Sequence, residues 1–133
     1  MLYYDDNWDE IRDVYTAWWR REKAPRPALS VMAPREKPLP CPEPPPFSDD
    51  PRERWLNAAT NLAQFEAHCA RTYHGGMAFP YITPSLGPGS LNLFLGSEPG
   101  FMPQTVWYHH VYDDPANVDL KLLADNEYWR WTV

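Results

Sequence analysis

The stretch Gly75-Gly76-Met77-Ala78-Phe79-Pro80-Tyr81-Ile82-Thr83-Pro84-Ser85-Leu86-Gly87-Pro88-Gly89 decides how this chain is read. It is too apolar for a linker and too rich in glycine and proline for a helix. Glycine opens backbone angles closed to other residues and proline fixes its own φ. Their dense alternation among Phe79, Tyr81, Ile82 and Leu86 therefore reads as a rigid, partly buried loop, the kind of loop that often carries a site. Upstream, Asp50-Pro51-Arg52-Glu53 is a helix start, with Asp50 as cap, Pro51 in the first turn and Glu53 able to close a capping box. Trp55, Leu56, Ala59, Leu62, Ala63, Phe65, Cys69 and Tyr73 then trace one apolar face as far as Gly75-Gly76, which ends the helix. Downstream, Met77 to Tyr81 reads as a short strand, and Leu91 to Leu95 as a short helix starting just after Gly87-Pro88-Gly89.

Further out, Trp8, Ile11, Val14, Tyr15, Trp18 and Trp19 recur at spacings of three and four, the period of an amphipathic helix over residues 7–22. Asp5 or Asp6 can cap it, Arg20, Arg21 and Lys23 suit the negative end of its dipole, and Pro25 and Pro27 are expected to stop it. Ala28-Leu29-Ser30-Val31-Met32-Ala33, bracketed by Pro27 and Pro34, predicts a buried strand. The proline-rich segment 34–47 should run as extended polyproline II. Such a segment serves either as a ligand for an aromatic groove or as a crossover covering the domain surface. No basic residue stands beside a clear PxxP core, which favours the crossover. Thr105 to Tyr112 reads as a strand before the Asp113-Asp114-Pro115 turn. Asp119 to Ala124 is ambiguous, and Asp125 to Trp131 reads as the start of another helix.

A length of 133 residues suits one domain built round one core. The formal charge of -6 argues against nucleic acid, whose phosphates need clustered Lys and Arg. Arg20, Arg21, Lys23 and Arg26 sit among acids and read as a solvated helix end. Sixteen prolines would suggest disorder, but 15% aromatic residues is what a disordered chain lacks, so a folded domain with one proline-rich excursion is expected. Cys41 and Cys69 make neither a disulfide framework nor metal-site spacing, which fits a reduced cytoplasmic setting. No apolar run approaches the roughly 20 residues of a membrane span, and Met1-Leu2-Tyr3-Tyr4-Asp5-Asp6 lacks the features of a signal peptide.

Few constellations carry chemistry. His109 and His110 are adjacent, so in a strand they face opposite sides and cannot share one metal; His68 and Cys69 likewise diverge on a helix. No metal site is expected. A histidine at the end of an aromatic strand can still border a pocket, which makes His109 or His110 a candidate substrate contact, with His109 taken first. Ser85 and Ser90 lie outside any Gly-x-Ser-x-Gly elbow, and Gly87-Pro88-Gly89 reads as a structural turn rather than an anion cradle because Pro88 removes a donor. The acidic pairs Asp5-Asp6, Asp49-Asp50 and Asp113-Asp114 are each explained by a cap or turn. No catalytic residue is assigned.

Several ordered blocks nevertheless carry a resemblance. Tyr15-Thr16-Ala17-Trp18-Trp19, Arg26-Pro27-Ala28-Leu29-Ser30-Val31, Phe65-Glu66-Ala67, Thr72-Tyr73-His74-Gly75-Gly76-Met77-Ala78-Phe79-Pro80, Leu86-Gly87-Pro88-Gly89, Phe94-Leu95-Gly96, Thr105-Val106-Trp107-Tyr108 and Asn126-Glu127-Tyr128-Trp129 together resemble the N-terminal region of uroporphyrinogen decarboxylase-like proteins, and most of all their uncharacterised bacterial branch. The resemblance implies an α/β chain that forms the N-terminal part of a (β/α)8 TIM-barrel-like fold, incomplete in isolation, as a single partial domain over residues 1–133. It implies a truncated, fragmentary or split protein whose partners are the remaining barrel portion or further copies of itself, with a small-molecule substrate in the whole protein.

The superfamily's activities are porphyrinogen decarboxylation and zinc-dependent methyl transfer from corrinoids to thiols. The decarboxylases carry an Arg-Gln-Ala-Gly-Arg run after the first strand, where this chain has Met32-Ala33-Pro34-Arg35-Glu36, with Arg35 as a partial substitute. Their catalytic aspartate has no counterpart in Phe79-Pro80-Tyr81-Ile82-Thr83-Pro84, and the methyltransferases' zinc ligands lie in a C-terminal half not included here. The expectation is therefore a chain without a cofactor or independent activity, in which Arg35, Tyr81 and Thr83 face the site of the whole protein. The alternative is a small non-catalytic interaction protein that binds through exposed faces of Trp18, Trp55 and Trp129.

Overall fold

In the computed structural model of the protein, the first amphipathic segment forms helix α1, Trp8–Trp19, with Ile11 and Val14 buried one turn apart. The structure describes residues 7–24, 26–83, 85–119 and 121–133; the expected caps Asp5 and Asp6, the expected stop at Pro25, and Pro84 lie outside them. α1 ends earlier than its prolines suggest. Arg21 takes a left-handed φ of 57°, so that its N–H donates to the Trp18 carbonyl at 3.0 Å while the Glu22 N–H donates to that of Ala17 at 2.9 Å. These two bonds close a Schellman turn, whose left-handed position usually holds glycine. Arg21→Gly should accordingly stabilise the protein by about 1 kcal/mol, read as a higher urea midpoint at unchanged m-value. Arg20→Gly, at an ordinary helical φ of -78°, serves as the control and should give no gain. An unchanged midpoint for Arg21→Gly would mean that the left-handed turn is absent.

The described residues divide into two compact units. The first runs to Pro45 and resumes over Leu62–Ile82. Its sheet pairs β1, Ser30–Pro34, antiparallel with β2, Thr72–Gly76, in a register that sets Met32 against His74 and Ser30 against Gly76. Backbone bonds continue the ladder at both ends, from Arg35 N–H to the Arg71 carbonyl at 2.7 Å and from Met77 N–H to that of Leu29 at 2.8 Å. Three expectations are corrected here. The strand expected over 28–33 starts two residues later and ends one later, and all five of its residues are exposed rather than buried, because it pairs with β2 alone and has no further strand to cover it. The helix expected to reach Gly75-Gly76 stops at Arg71, where the Thr72 hydroxyl donates to the His68 carbonyl at 2.8 Å and the chain enters β2. Met77 to Tyr81 is not a strand: after Gly76, at φ 65°, Met77 makes the last bond to Leu29, and the Ala78 N–H turns back to the Gly75 carbonyl at 3.2 Å.

The core of this unit is Ile11, Val14 and Met77, with Trp8, Tyr15, Ala24, Ala28 and Phe79 packed on it. Phe79 meets Trp8 and Tyr15 edge-on at ring distances of 5.2 and 6.1 Å, which fixes the Gly-Pro run at its start. From Arg35 the proline-rich segment is neither helix nor strand. It is tied down by Leu39 N–H to the Ala70 carbonyl at 2.9 Å and Gln64 Nε2 to that of Pro45 at 2.7 Å, in keeping with a crossover.

The second unit comprises Pro46–Asn61 and Thr83–Val133. Asp50 caps α2, Pro51–Leu56, by accepting the Arg52 N–H at 2.9 Å. Glu53 does not close the expected box itself; it accepts from the Ser48 hydroxyl at 2.7 Å, which in turn accepts the Asp50 N–H at 3.2 Å. The single helix expected from Asp50 is broken at Asn57, whose ψ of 85° ends α2 and whose Oδ1 caps α3, Ala58–Arg71, through the Thr60 N–H at 3.0 Å. Apolar periodicity continues across the break, which hid it. α4, Ser90–Phe94, follows the Gly-Pro run. β3, Pro99–Phe101, then pairs antiparallel with β4, Val106–Tyr108, a strand shorter than the 105–112 expected. Asp119 to Ala124 is irregular where described, and Asn126 caps α5, Glu127–Thr132, through the Trp129 N–H at 2.7 Å.

Leu86, Leu93 and Phe94 are the buried centre of this unit, covered by Leu56, Tyr108, Tyr128, Trp129 and Trp131. Leu86 secures the end of the Gly-Pro run, and its carbonyl accepts the Tyr108 hydroxyl. The fold is thus mixed α and β. Among the described residues both sheets are two-stranded and antiparallel, so no closed barrel is formed.

Candidate functional site

The first unit carries a recess of about 410 Å³ lined, among the described residues, by Tyr15, Trp19, Ser30, Met32, Met77, Ala78, Phe79 and Tyr81. Its construction follows from local structure. Tyr15 and Trp19 are one helical turn apart on α1, Ser30 and Met32 alternate along β1, and the turn at Gly76 brings Met77, Ala78, Phe79 and Tyr81 across the opening. Met77 and Ala78 are buried, whereas Trp19 and Tyr81 are 76% and 70% exposed.

The hydroxyls of Tyr15 and Ser30 already have partners. The Tyr15 hydroxyl donates to the Met77 carbonyl at 3.2 Å, and since it has one proton, the 3.2 Å contact with Ser30 Oγ is a bond in which the serine donates. Among the described lining residues there is no carboxylate, histidine, lysine, arginine or cysteine, and the ionisable groups are the two phenols. Such walls can hold a molecule by shape and dispersion.

The four residues expected at a substrate site are distributed as follows. Arg35 is half-buried, donates from Nε to the Thr72 carbonyl at 2.9 Å, and lines a separate recess with Pro34, Glu36, Lys37 and Tyr73. Its guanidinium therefore has a structural role beside β2. Tyr81 lines the apolar recess, its ring 5.7 Å from Phe79. Thr83 is exposed in irregular backbone of the second unit, and His109 is exposed just past β4, its N–H donating to the Glu98 carbonyl at 3.1 Å. Arg35 and Tyr81 thus line different recesses. Tyr15, Trp19, Ser30 and Met32 were not identified from sequence; the i, i+4 pair Tyr15 and Trp19 was a signal, absorbed into the reading of a core face.

Of the tryptophans expected to be bare, Trp18 is exposed, but Trp55 and Trp129 are half-buried. Trp55 donates its indole N–H to the Met102 carbonyl at 2.7 Å, and Trp129 packs edge-on against Phe94 at 5.1 Å. Trp19 and Trp107 are exposed instead. Burial pushes the Cys69 thiol above its ordinary range, with nearby Glu66 adding to the effect, so this cysteine is a poor nucleophile. Among the described residues no group of three or more His, Cys, Asp or Glu side chains is placed to hold a metal ion, and no helix is long and apolar enough to cross a membrane. Comparison with protein-family models, curated proteins and solved structures finds no match to this chain.

Proposed function

We propose that this chain is the entry region of a uroporphyrinogen decarboxylase-like (β/α)8 barrel, and that it forms part of the mouth of a small-molecule site without carrying out chemistry itself. In this reading the antiparallel ribbons precede the parallel strands of the barrel wall. The observation that carries the proposal is the state of the Gly-Pro run. Phe79 packs on the core of one unit and Leu86 is buried in that of the other, while Tyr81, Ile82 and Thr83 between them are exposed. A run of apolar residues held at both ends and bare in the middle suits a rim that faces a ligand or further chain. The ordered blocks that resemble the decarboxylase-like proteins supply the identity of that further chain. Among the described residues the recess is lined by apolar, hydroxyl and phenol groups, which supports a binding role over a catalytic one.

Sequencing the transcript that encodes the chain tests the reading. The expected result is a continuing or adjacent frame encoding the strand-helix repeats of a barrel. A transcript with neither, or turnover of a porphyrinogen or of a methyl donor by the purified chain alone, would overturn it.

A further inference from the structure

The recess beneath Tyr81 has chemistry of its own, independent of whether the chain belongs to a barrel. We infer that it is a binding site for a neutral, flat aromatic molecule. Its volume of about 410 Å³ lies within the range of about 300–1,000 Å³ of small-molecule pockets. Two observations select the ligand class. First, the hydroxyls of Tyr15 and Ser30 are spent on each other and on the Met77 carbonyl, so the inner wall asks for little hydrogen bonding and the polar handles are the Trp19 and Tyr81 tips at the rim, while no described lining residue carries a charge to offset one on the ligand. Second, the rim is made of aromatic and thioether groups left open to water: Trp19, Met32 and Tyr81 are all at least two-thirds exposed.

Two of the rim rings already belong to aromatic pairs: Trp19 stands edge-to-face on Trp18 at 4.7 Å and Tyr81 is tilted on Phe79 at 5.7 Å. A flat ring entering the recess can extend these pairs in the offset or edge-on geometry that aromatic groups prefer, and Met32 adds a polarisable sulfur. An anionic ligand is disfavoured twice, by the uncharged walls and by the chain's formal charge of -6.

The test is a fluorescence titration of the purified chain, at a concentration where sedimentation shows monomer, with neutral N-phenyl-1-naphthylamine and with its anionic relative 1-anilinonaphthalene-8-sulfonate. Saturable one-to-one binding of the neutral probe is expected, with the sulfonate about tenfold weaker. Met32→Glu places a charge on the rim at an exposed position and should weaken the neutral probe about tenfold with an unchanged circular dichroism spectrum. Tyr81→Ser, equally exposed, is the second variant and should weaken it as well. Leu91→Glu, at an exposed apolar position of the second unit, should leave binding within about twofold. The inference is overturned by non-saturable binding, by equal affinity for the two probes, or by a Leu91→Glu loss matching that of Met32→Glu. Exclusion of the probe by self-association, which would make a second copy the occupant, overturns it too. None of these outcomes bears on the barrel reading, which is decided by the transcript.

Discussion

Gly76→Ala should destabilise the protein by about 1.5–3.5 kcal/mol, read as a lower urea midpoint. Two costs add. Gly76 sits at φ 65°, a conformation that costs a residue with a Cβ about 1–2 kcal/mol. A Cβ there would also stand 2.3 Å from the Leu29 carbonyl oxygen, a backbone atom that cannot swing aside as a side chain would. That same oxygen accepts the Met77 N–H at 2.8 Å, so moving it forfeits a hydrogen bond of about 0.5–1.5 kcal/mol. Gly100→Ala is the matched control. It also lies in a two-stranded ribbon, but its nearest contacts to an added Cβ are at 3.7 Å, ordinary van der Waals distance, and it should change stability by less than about 1 kcal/mol. Equal effects at the two glycines would mean that the turn out of β2 is not built as described.

Leu86→Ala should cost about 2–5 kcal/mol, the range for truncating a fully buried leucine whose surroundings relax only in part. Leu86 is 0% exposed although it lies in a segment dominated by glycine and proline. Its position is fixed on the backbone as well: the Leu86 N–H donates to Ser90 Oγ at 3.2 Å, and its carbonyl accepts the Tyr108 hydroxyl. Gly87, at φ 95°, and Gly89 are small enough to let Tyr108 lie against this stretch, an added Cβ on Gly89 standing only 2.8 Å from the Tyr108 ring. Leu91→Ala, five residues on and 60% exposed, should cost less than about 0.5 kcal/mol. Similar small losses at both positions would mean that the Gly-Pro run is a loose surface loop.

These two positions mark what the sequence could and could not reveal. Alternation of Gly and Pro with apolar side chains was enough to predict a partly buried loop, because glycine and proline both disfavour helix and Leu86 and Phe79 needed burial. α1, the Asp50 cap, α4 and α5 were legible for the same reason: their signals are caps and 3.6-residue periods, confined to a few neighbouring residues. The β1–β2 ribbon was not. Its pairing joins residues about forty apart, and the decision that Thr72 and Tyr73 leave the helix depends on a partner strand that local pattern cannot supply. The break at Asn57 was hidden because apolar spacing carries on across it, although an Asn that caps a helix was present to be read. The recess was only half legible. Tyr81 was singled out, but Met32 and Ser30 join it through the ribbon register, and Arg35 is held by the Thr72 carbonyl for reasons invisible before β2 was placed.

The reading of the chain as a barrel's entry region is tested most directly by the mass of the species that contains it in its own cells. Native mass spectrometry of the isolated, cross-linked protein should find this sequence either continuous with barrel strands or bound to a polypeptide that carries them. A free 15.5 kDa monomer, stable and without companion, would contradict the account.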